Sequence, residues 1–427
     1  MRISRRQFSR TAGLAAGSLV AGAAEAQVRD EAPRALPDAI RALRPLSGAP
    51  PFITDDERRG RIEKAQRLMT EQGLSALVLE PGTTMNYFVD VRWGLSERPF
   101  LLVIPAKGEL AYVAPGFEEN RAREVTKFTN DVRVWQEHED ATAVVAAILK
   151  ERGVATGKVG LEERMRFFIV DGLRKASPAV DWTLATPVTA GCRMIKSKTE
   201  LALMQHANNI TIAAYKAGLS TLHEGMTQGE LRDTITAAYR ALGASGAIAV
   251  SFGEYTAFPH GSVQPQRLKS GDVVQIDDGV SFGGYQSDIT RTVVFGKSSK
   301  RQVEVWNLEK KAQAAAFAAA RVGATCESVD AAARTVITDA GFGPGYTVPG
   351  LPHRTGHGIG MDGHEWTNFV KGNTTKLAPG MCFSDEPMIA IYGEFGIRLE
   401  DCLYITEDGP RFFTLPSPAI DQPFASD

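Results

Sequence analysis

Four carboxylates and one imidazole in the second half of the sequence could together do chemistry. They lie on apolar, strand-like stretches or in a glycine-rich turn: Asp277, Asp288, His357, Glu386 and Glu400. A carboxylate buried without a partner is destabilising, so such residues require one. Oxygen and imidazole ligands suit divalent cations such as Mn²⁺, Co²⁺ or Zn²⁺, and two bridging carboxylates can hold a pair of them. Because a water between two such ions becomes hydroxide near neutral pH, the set predicts a two-metal hydrolytic centre.

Short strands must position these side chains. Asp277 and Asp288 are eleven residues apart, and the flanking stretches QID and SDIT are predicted strands with glycines between them as a turn. A hairpin of this kind directs both carboxylates into one cleft. Glu386 ends the run MCFSDE, and Glu400 lies in the strand-like stretch GIRLEDCLYI.

The part of the chain that carries these residues contains an internal repeat. The second passage repeats landmarks of the first at a distance of 98 residues: Gly225 and Gly323, Thr227 and Thr325, Gly243 and Gly341. In each repeat these residues flank an amphipathic helix pattern. When the two repeats are aligned, Asp277 of the first matches Glu386 of the second. Two half-domains related by duplication would form a cleft between them.

A smaller α/β domain is predicted before the duplicated part. Thr54 and Glu57 make a capping-box pattern at the start of a helix, and the strand-like run Ala76–Leu79 follows. Further short apolar runs continue the alternation of helix and strand. The predicted organisation is a signal segment at 1–26, a proline-rich extended lead-in at 27–53, the α/β domain at 54–190 and the duplicated domain at 191–427.

The first 26 residues predict an export signal. Arg5 and Arg6 precede a weakly apolar, Gly/Ala-rich stretch, and the sequence ending at Ala26 has the small residues of a cleavage site. The paired arginines resemble the twin-arginine signal, whose machinery exports folded proteins, and an ordinary secretory signal is the alternative. We therefore expect a periplasmic protein.

Composition excludes several classes of function. The net charge of -2 gives no electrostatic footprint for nucleic acid, and no apolar run is long enough for a membrane-spanning helix. Four scattered cysteines do not make a disulfide scaffold. Cys382 and Cys402 lie on neighbouring predicted strands, where two buried, unpaired side chains are favoured over a disulfide.

The motifs IDDGVSFGGYQSDITRT, HRTGHGIGMDGHE, SDEP and GIRLED resemble those of the creatinase, prolidase and aminopeptidase P family. The resemblance extends from about residue 54 to residue 420 and is weaker in the N-terminal part. It implies an α+β fold: a pita-bread domain of two helix-plus-antiparallel-sheet halves, preceded by a smaller α/β creatinase-like domain. The family's ligands for two metal ions, with Mn²⁺ favoured and Co²⁺ or Zn²⁺ as alternatives, match Asp277, Asp288, His357, Glu386 and Glu400. All five are present, which disfavours the metal-free branches.

The resemblance also implies a reaction, the hydrolysis of an Xaa-Pro bond in a peptide by the bridging hydroxide. Glu386 would relay a proton to the leaving nitrogen. His260 and His364 would stabilise the tetrahedral intermediate. His353 and Arg398 would contact the proline side or the terminal carboxylate, although Arg398 could instead hold a metal-binding carboxylate in place.

The sequence is compatible with several related functions. A prolidase-type dipeptidase is favoured over an aminopeptidase P that acts on longer peptides, with Arg92, Arg98 and Arg398 as candidates for the wall that binds the substrate carboxylate. A metal-dependent lyase or hydrolase of a small metabolite is a further alternative. A non-catalytic binding module is disfavoured because no ligand is missing. The family also suggests a homodimer. Asp385 and Trp366 depart from the expected pattern and adjoin the site, so the pocket for the substrate could differ.

Overall fold

A computed structural model describes residues 35–425 of the chain. The predicted signal segment at 1–26 lies outside the described residues. The described residues of both predicted domains belong to one compact unit. Within the predicted lead-in, the described residues contain one short helix, α1 (Asp38–Arg41), whose Ile40 side chain is buried.

The N-terminal domain is a mixed sheet flanked by helices, as the sequence predicts. Its helix α2 begins after Thr54, whose Oγ1 accepts a hydrogen bond from the Glu57 N–H, and this satisfies one of the free donors of the first turn. The predicted boundary at residue 190 falls inside the last helix, which ends at Arg193. The helices are α2 (Asp55–Glu71), α3 (Thr83–Val89), α4 (Glu119–Val125), α5 (Ala141–Glu151), α6 (Phe167–Ala176) and α7 (Thr186–Arg193), with a 3₁₀ turn at Gly116–Glu118.

The six strands of this domain form one sheet in the order β4-β3-β2-β1-β5-β6. The β1–β2 and β2–β3 pairs are antiparallel, and the other three pairs are parallel. Both faces of the sheet are covered, so the central strands are continuous apolar runs. The strands are β1 (Leu74–Leu79), β2 (Leu101–Pro105), β3 (Ala111–Pro115), β4 (Val132–Trp135), β5 (Gly157–Leu161) and β6 (Val180–Leu184).

Four long helices belong to the C-terminal domain. Capping boxes at Ser197, Thr227 and Ser299 fix the starts of three of them. Within residues 35–425 no helix has both the length and the apolar character needed to cross a membrane. The helices are α8 (Lys198–Leu219), α9 (Gln228–Ala241), α10 (Lys300–Ala319) and α11 (Cys326–Asp339), and a 3₁₀ turn covers Gly253–Ala257.

The strands of the C-terminal domain form small antiparallel sheets. The first half contains β11-β10-β7 and β12-β9-β8, and the second half contains β14-β13-β15-β18-β19 and the hairpin β16-β17. The strands of the first half are β7 (Ser245–Gly246), β8 (Ala249–Phe252), β9 (Val273–Asp277), β10 (Val280–Phe282), β11 (Tyr285–Gln286) and β12 (Arg291–Val294). Those of the second half are β13 (Gly356–Gly358), β14 (Glu365–Phe369), β15 (Cys382–Asp385), β16 (Met388–Ile391), β17 (Phe395–Arg398), β18 (Asp401–Thr406) and β19 (Gly409–Phe412).

The structure agrees with the predicted duplication. The helices α9 and α11 start at matching positions, after Thr227 and Thr325. Asp277 ends β9 in the first half, and Glu386 directly follows β15 in the second. Each half packs its own pair of helices against its strands around its own apolar core. The ends of strands from both halves therefore meet in one place.

Two predicted strand positions are wrong in detail. Asp288 lies in the irregular segment 287–290, where only the N–H groups of Ser287 and Ile289 bond across to the hairpin. Glu400 lies between β17 and β18, where the chain passes from the two-stranded hairpin to the five-stranded sheet. Both residues therefore occupy breaks between strands, where a side chain is not bound to the alternating directions of a sheet.

The four cysteines are buried and free. The pairing of β15 with β18 places Cys382 opposite Tyr404 and Cys402 opposite Ser384, so the two cysteines are not cross-strand partners. The structure therefore agrees with the expectation of two buried, unpaired side chains.

A charged network joins the two domains. Arg193, at the end of α7, contacts the carboxylates of Asp362 at 2.7 Å and Glu365 at 2.5 Å. Lys196 Nζ lies 3.1 Å from the other oxygen of Glu365. Burial alone would raise the pKa of Glu365, but the charges of Lys196 and Arg193 lower it to about 2. This network fixes the segment on which His364 lies.

The Arg291–Asp401 ion pair holds the two halves together from within. Both side chains are 1% exposed, and Arg291 Nη2 lies 2.7 Å from Asp401 Oδ1. Arg291 also donates to the backbone oxygens of Thr290 and Glu400. It therefore stabilises the two irregular segments that carry Asp288 and Glu400.

We predict that Arg291→Leu lowers the free energy of unfolding by about 3–5 kcal/mol, because it leaves a buried Asp401 carboxylate without its partner. Urea unfolding followed by circular dichroism measures this loss. The matched control is Arg301→Leu, which removes an exposed pair with Glu394 and should cost at most about 1 kcal/mol. Equal losses in the two variants would contradict the structural role of Arg291.

Candidate metal centre

Asp277 is held by two side chains from different parts of the domain. Thr290 Oγ1 lies 2.7 Å from Asp277 Oδ1, and Arg398 Nη2 donates to Oδ2. Arg398 comes from β17 and is buried. A strand of the second half thus fixes a carboxylate of the first.

His357 lies on β13 and faces two of the carboxylates. Its Nδ1 lies 3.1 Å from the backbone oxygen of Gly358 and donates to it, so Nε2 is the ring atom that faces the carboxylates, where a cation would take the place of its proton. Nε2 lies 3.2 Å from Glu386 Oε1 and 3.6 Å from Asp288 Oδ2. Burial alone would lower the pKa of His357, but the hydrogen bond with Glu386 and the nearby charges raise it to about 9.

Glu386 and Glu400 complete the set. Ser384 Oγ donates to Glu386 Oε1 at 3.2 Å, and Thr290 Oγ1 lies 2.7 Å from Glu400 Oε2. The other oxygen of Glu400, Oε1, is buried and has no hydrogen-bond partner within residues 35–425. A buried carboxylate oxygen without a donor is destabilising, so this atom requires a ligand.

The five predicted ligands therefore come together. Three groups have ligand atoms that all lie within 4.8 Å of one another: Asp277 with Asp288 and Glu400, His357 with Glu386 and Glu400, and Asp288 with His357 and His364. Burial, followed by the neighbouring carboxylates, raises the pKa of both Asp288 and Glu400 well above the usual range. A divalent cation would remove this repulsion and give Glu400 Oε1 its missing partner, so the residues fit a metal centre.

The predicted catalytic histidines lie at the solvent side of this cluster. His364 is exposed and stacks on His357 with ring centroids 3.7 Å apart. Burial and the charge of His357 lower the pKa of His364 to about 4, so it is neutral at pH 7. His260 is exposed and follows the 3₁₀ turn at Gly253–Ala257. Their catalytic role stays a prediction.

The two predicted substrate-binding residues have different surroundings. Nδ1 of His353 lies 2.7 Å from the backbone oxygen of Arg354, and its Nε2 is buried without a partner in the described part of the chain. Arg398 donates to Asp277, to Thr290 Oγ1 at 3.1 Å and to the backbone oxygen of Pro259 at 3.0 Å. Arg398 thus positions a candidate ligand, and its substrate contact stays a prediction.

The other arginines proposed for the carboxylate wall have partners or positions elsewhere. Arg98 is paired with Glu97 and Glu137. Arg92 lines a separate cavity together with Arg58 and Arg61.

The two departures from the expected pattern differ in their exposure to solvent. Asp385 is fully buried, and burial followed by the charges of Asp401 and Glu309 raises its pKa well above the usual range. Trp366 is 53% exposed and lines a cavity of about 350 Å³ together with Leu95 and His364.

Thr290 and Ser384 were missed in the sequence. The Thr290 hydroxyl connects Asp277 and Glu400 and accepts a bond from Arg398, while Ser384 Oγ accepts a bond from the His357 N–H at 3.0 Å. Each lies two residues from a candidate ligand, in SDIT and SDE. That spacing on an extended chain was the available signal, because residues two apart face the same way.

We predict that Glu400→Gln weakens the binding of Mn²⁺ roughly tenfold or more, because it removes the charge of a carboxylate common to two of the ligand groups. Metal analysis after equilibrium dialysis against graded Mn²⁺ measures the change. The control is Glu407→Gln, which removes the same charge from an exposed position. Unchanged affinity in Glu400→Gln would contradict the assignment of this residue as a ligand.

Comparison with known proteins agrees with this geometry. Residues 202–407 match the model of metallopeptidase family M24, and residues 61–195 match the creatinase/prolidase N-terminal domain. The probable dipeptidase PepE of Mycobacterium bovis is 34% identical over 82% of this chain and 92% of its own length. The Xaa-Pro dipeptidase of Lactobacillus delbrueckii subsp. lactis is 30% identical over 83% of this chain and 96% of its own.

A solved structure supports the same relationship. The crystal structure of dipeptidase PepE from Mycobacterium ulcerans is 32% identical, covers 85% of this chain and 97% of its own, and superposes with a TM-score of 0.79. The match extends over both domains and includes the pita-bread arrangement of the duplicated halves. With its cluster of acidic and histidine ligands, this chain belongs to metallopeptidase family M24 and carries that family's creatinase/prolidase N-terminal domain.

Proposed function

We propose that this metallopeptidase is an Xaa-Pro dipeptidase that uses two divalent metal ions. The observation that carries the proposal is the position of Glu400, which belongs to one ligand group with Asp277 and Asp288 and to another with His357 and Glu386. A carboxylate common to two adjacent groups is the arrangement that bridges a metal pair. All three proteins compared above are named as dipeptidases, one of them for Xaa-Pro substrates.

The bound metals would supply Lewis acidity and an activated water. The protein's own residues then handle the substrate and the protons. Glu386, with Oε1 facing the cluster beside His357, is placed to accept a proton and transfer it to the leaving nitrogen. His364, neutral and exposed beside His357, can donate a hydrogen bond to the developing oxyanion, and His260 would do the same.

Arg398 combines two roles in this proposal. Its contacts with Asp277 and Thr290 hold a ligand in place. A guanidinium has further N–H groups, and those of Arg398 have no acceptor within residues 35–425. They can bind the substrate carboxylate, with His353 and its unpartnered Nε2 on the proline side.

The alternatives are an aminopeptidase P that acts on longer peptides and a metal-dependent lyase or hydrolase of a small metabolite. We favour the dipeptidase because of the relatives' names. We also propose Mn²⁺ as the metal, because carboxylate oxygens dominate the ligand set and suit it. A homodimer is proposed from the resemblance alone, and sedimentation of the purified protein tests it.

We propose that the protein is exported to the periplasm by the twin-arginine machinery. The support is the sequence of residues 1–26, with Arg5 and Arg6 before a weakly apolar stretch. Export of a folded protein would allow the metal to be inserted before transport.

We predict that the purified chain from Gln27 onward, loaded with Mn²⁺, hydrolyses Ala-Pro faster than Ala-Pro-Ala at equal concentration. The dipeptide presents its carboxylate directly after proline, where the free N–H groups of Arg398 would bind it. Initial rates by quantification of released alanine measure the preference. Faster cleavage of the tripeptide would indicate the aminopeptidase, and the absence of cleavage with two metals bound per chain would favour the small-metabolite enzyme.

For export, we predict that replacing Arg5 and Arg6 together by lysine abolishes the appearance of the protein in the periplasm of a bacterial host. Cell fractionation followed by intact mass of the exported chain measures both transport and cleavage near Ala26. Replacing Arg2 and Arg10 by lysine is the control with an equal number of substitutions and should leave export in place. Export that persists without the arginine pair would indicate an ordinary secretory route.

A further inference from the structure

A cavity next to the candidate metal centre contains a carboxylate that the proposed mechanism does not use. The cavity has a volume of about 360 Å³, within the usual size of small-molecule sites. Its charged lining residues are Asp288, a candidate metal ligand, and Asp278. Most of the other walls are formed by small residues: Ser245, Gly246, Ala247, Gly279, Ser281, Ser287 and Gly363.

Asp278 is held firmly in an unusual conformation. Its φ of 97° is rare for a residue other than glycine. Its backbone oxygen accepts bonds from Tyr215 Oη at 2.9 Å and from the Ile289 N–H at 3.1 Å, and its own N–H donates to Asp277 Oδ1 at 2.8 Å. A strained residue whose surroundings hold it in place indicates a functional constraint at that position.

The carboxylate of Asp278 has no partner within residues 35–425. It makes no hydrogen bond or ion pair there, and no lysine or arginine lines the cavity. The charge of Arg398 acts on it only from a distance, because the guanidinium is bound to Asp277, Thr290 and Pro259. A half-buried anion of this kind would pair with a cation brought by a ligand.

The small walls leave room for a long side chain. Gly246 and Gly279 cannot be replaced without a clash, because a Cβ on Gly246 would lie 2.1 Å from the Gly279 oxygen and one on Gly279 would lie 2.3 Å from the Ser287 oxygen. Ser245 and Ser281 line the same cavity with small polar side chains, whereas the Ser287 hydroxyl is already bonded to Thr211 and Val280. An extended aliphatic chain with a cationic end therefore fits the shape and the charge of the cavity.

We propose that Asp278 selects substrates with lysine or arginine before the proline, by pairing with the cationic end of that side chain in this cavity. The proposal rests on the proposed dipeptidase function and assigns its substrate class. The cavity shares Asp288 with the metal centre, so a substrate side chain next to the scissile bond can enter it. The other cation available in a dipeptide is the α-amino group, which every substrate carries.

The experiment compares Lys-Pro with norleucyl-Pro, whose side chain has the same aliphatic length without the charge. We expect the kcat/KM of the metal-loaded protein to be about tenfold higher for Lys-Pro. In Asp278→Asn, which keeps the shape and tolerates positive φ, we expect the ratio of the two values to fall close to one. The control is Asp233→Asn, an exposed carboxylate on α9 outside the cavity, which should keep the ratio.

Several outcomes would overturn the proposal. A ratio near one in the unmodified protein, or a ratio that persists in Asp278→Asn at unchanged metal content, would show that the carboxylate does not select the side chain. An equal loss on both dipeptides at unchanged metal content would assign Asp278 to the α-amino group instead.

Direct binding separates this proposal from the proposed function. Calorimetric titration of the metal-loaded protein with free lysine and free norleucine requires no turnover. If no Xaa-Pro dipeptide is cleaved, the dipeptidase assignment fails, while tighter binding of lysine that depends on Asp278 would still support the cation pocket. Equal binding of the two amino acids would overturn the pocket itself.

Discussion

Repulsion among buried carboxylates is the constraint on which the C-terminal domain depends. Asp288, Glu386 and Glu400 are enclosed close together, and the cationic groups near them are Arg398 and His357. Arg398 is bound mainly to Asp277, and one imidazole cannot neutralise the remaining acids. The orphaned oxygen of Glu400 shows the same deficit of positive charge. A bound divalent cation would supply the missing positive charge, so metal binding would also stabilise this region.

The duplicated fold is the means by which these acids are brought together. Each half ends a strand at the centre, and the two irregular segments that carry Asp288 and Glu400 face each other across it. Within the second half, β13 and β15 approach so closely that a Cβ on Gly356 would lie 2.1 Å from the Ser384 oxygen, and His357 lies beside Glu386 there. The buried Arg291 stabilises both segments by donating hydrogen bonds to the backbone oxygens of Thr290 and Glu400. The N-terminal domain contributes through Arg193, which anchors the segment that carries His364.

Residue types and spacing, together with the family resemblance, predicted the duplicated fold, the small α/β domain and the clustering of five candidate metal ligands, because acids on apolar stretches are rare without a partner. Three features could not be predicted in this way. The breaks at Asp288 and Glu400 arise from passage between sheets, which depends on tertiary pairing. The contacts of Arg398 with Asp277 and Thr290 join segments more than 100 residues apart. The Asp278 carboxylate has no lysine or arginine partner among residues 35–425. This depends on the tertiary positions of those side chains, which the sequence does not show.

The most direct test of the central claim is anomalous X-ray diffraction at the manganese edge from crystals of the protein grown with Mn²⁺. We predict two anomalous peaks per chain, one beside Asp277 and Asp288 and one beside His357 and Glu386, with Glu400 between them. A single peak outside this cluster, or none while the carboxylates keep their positions, would contradict it.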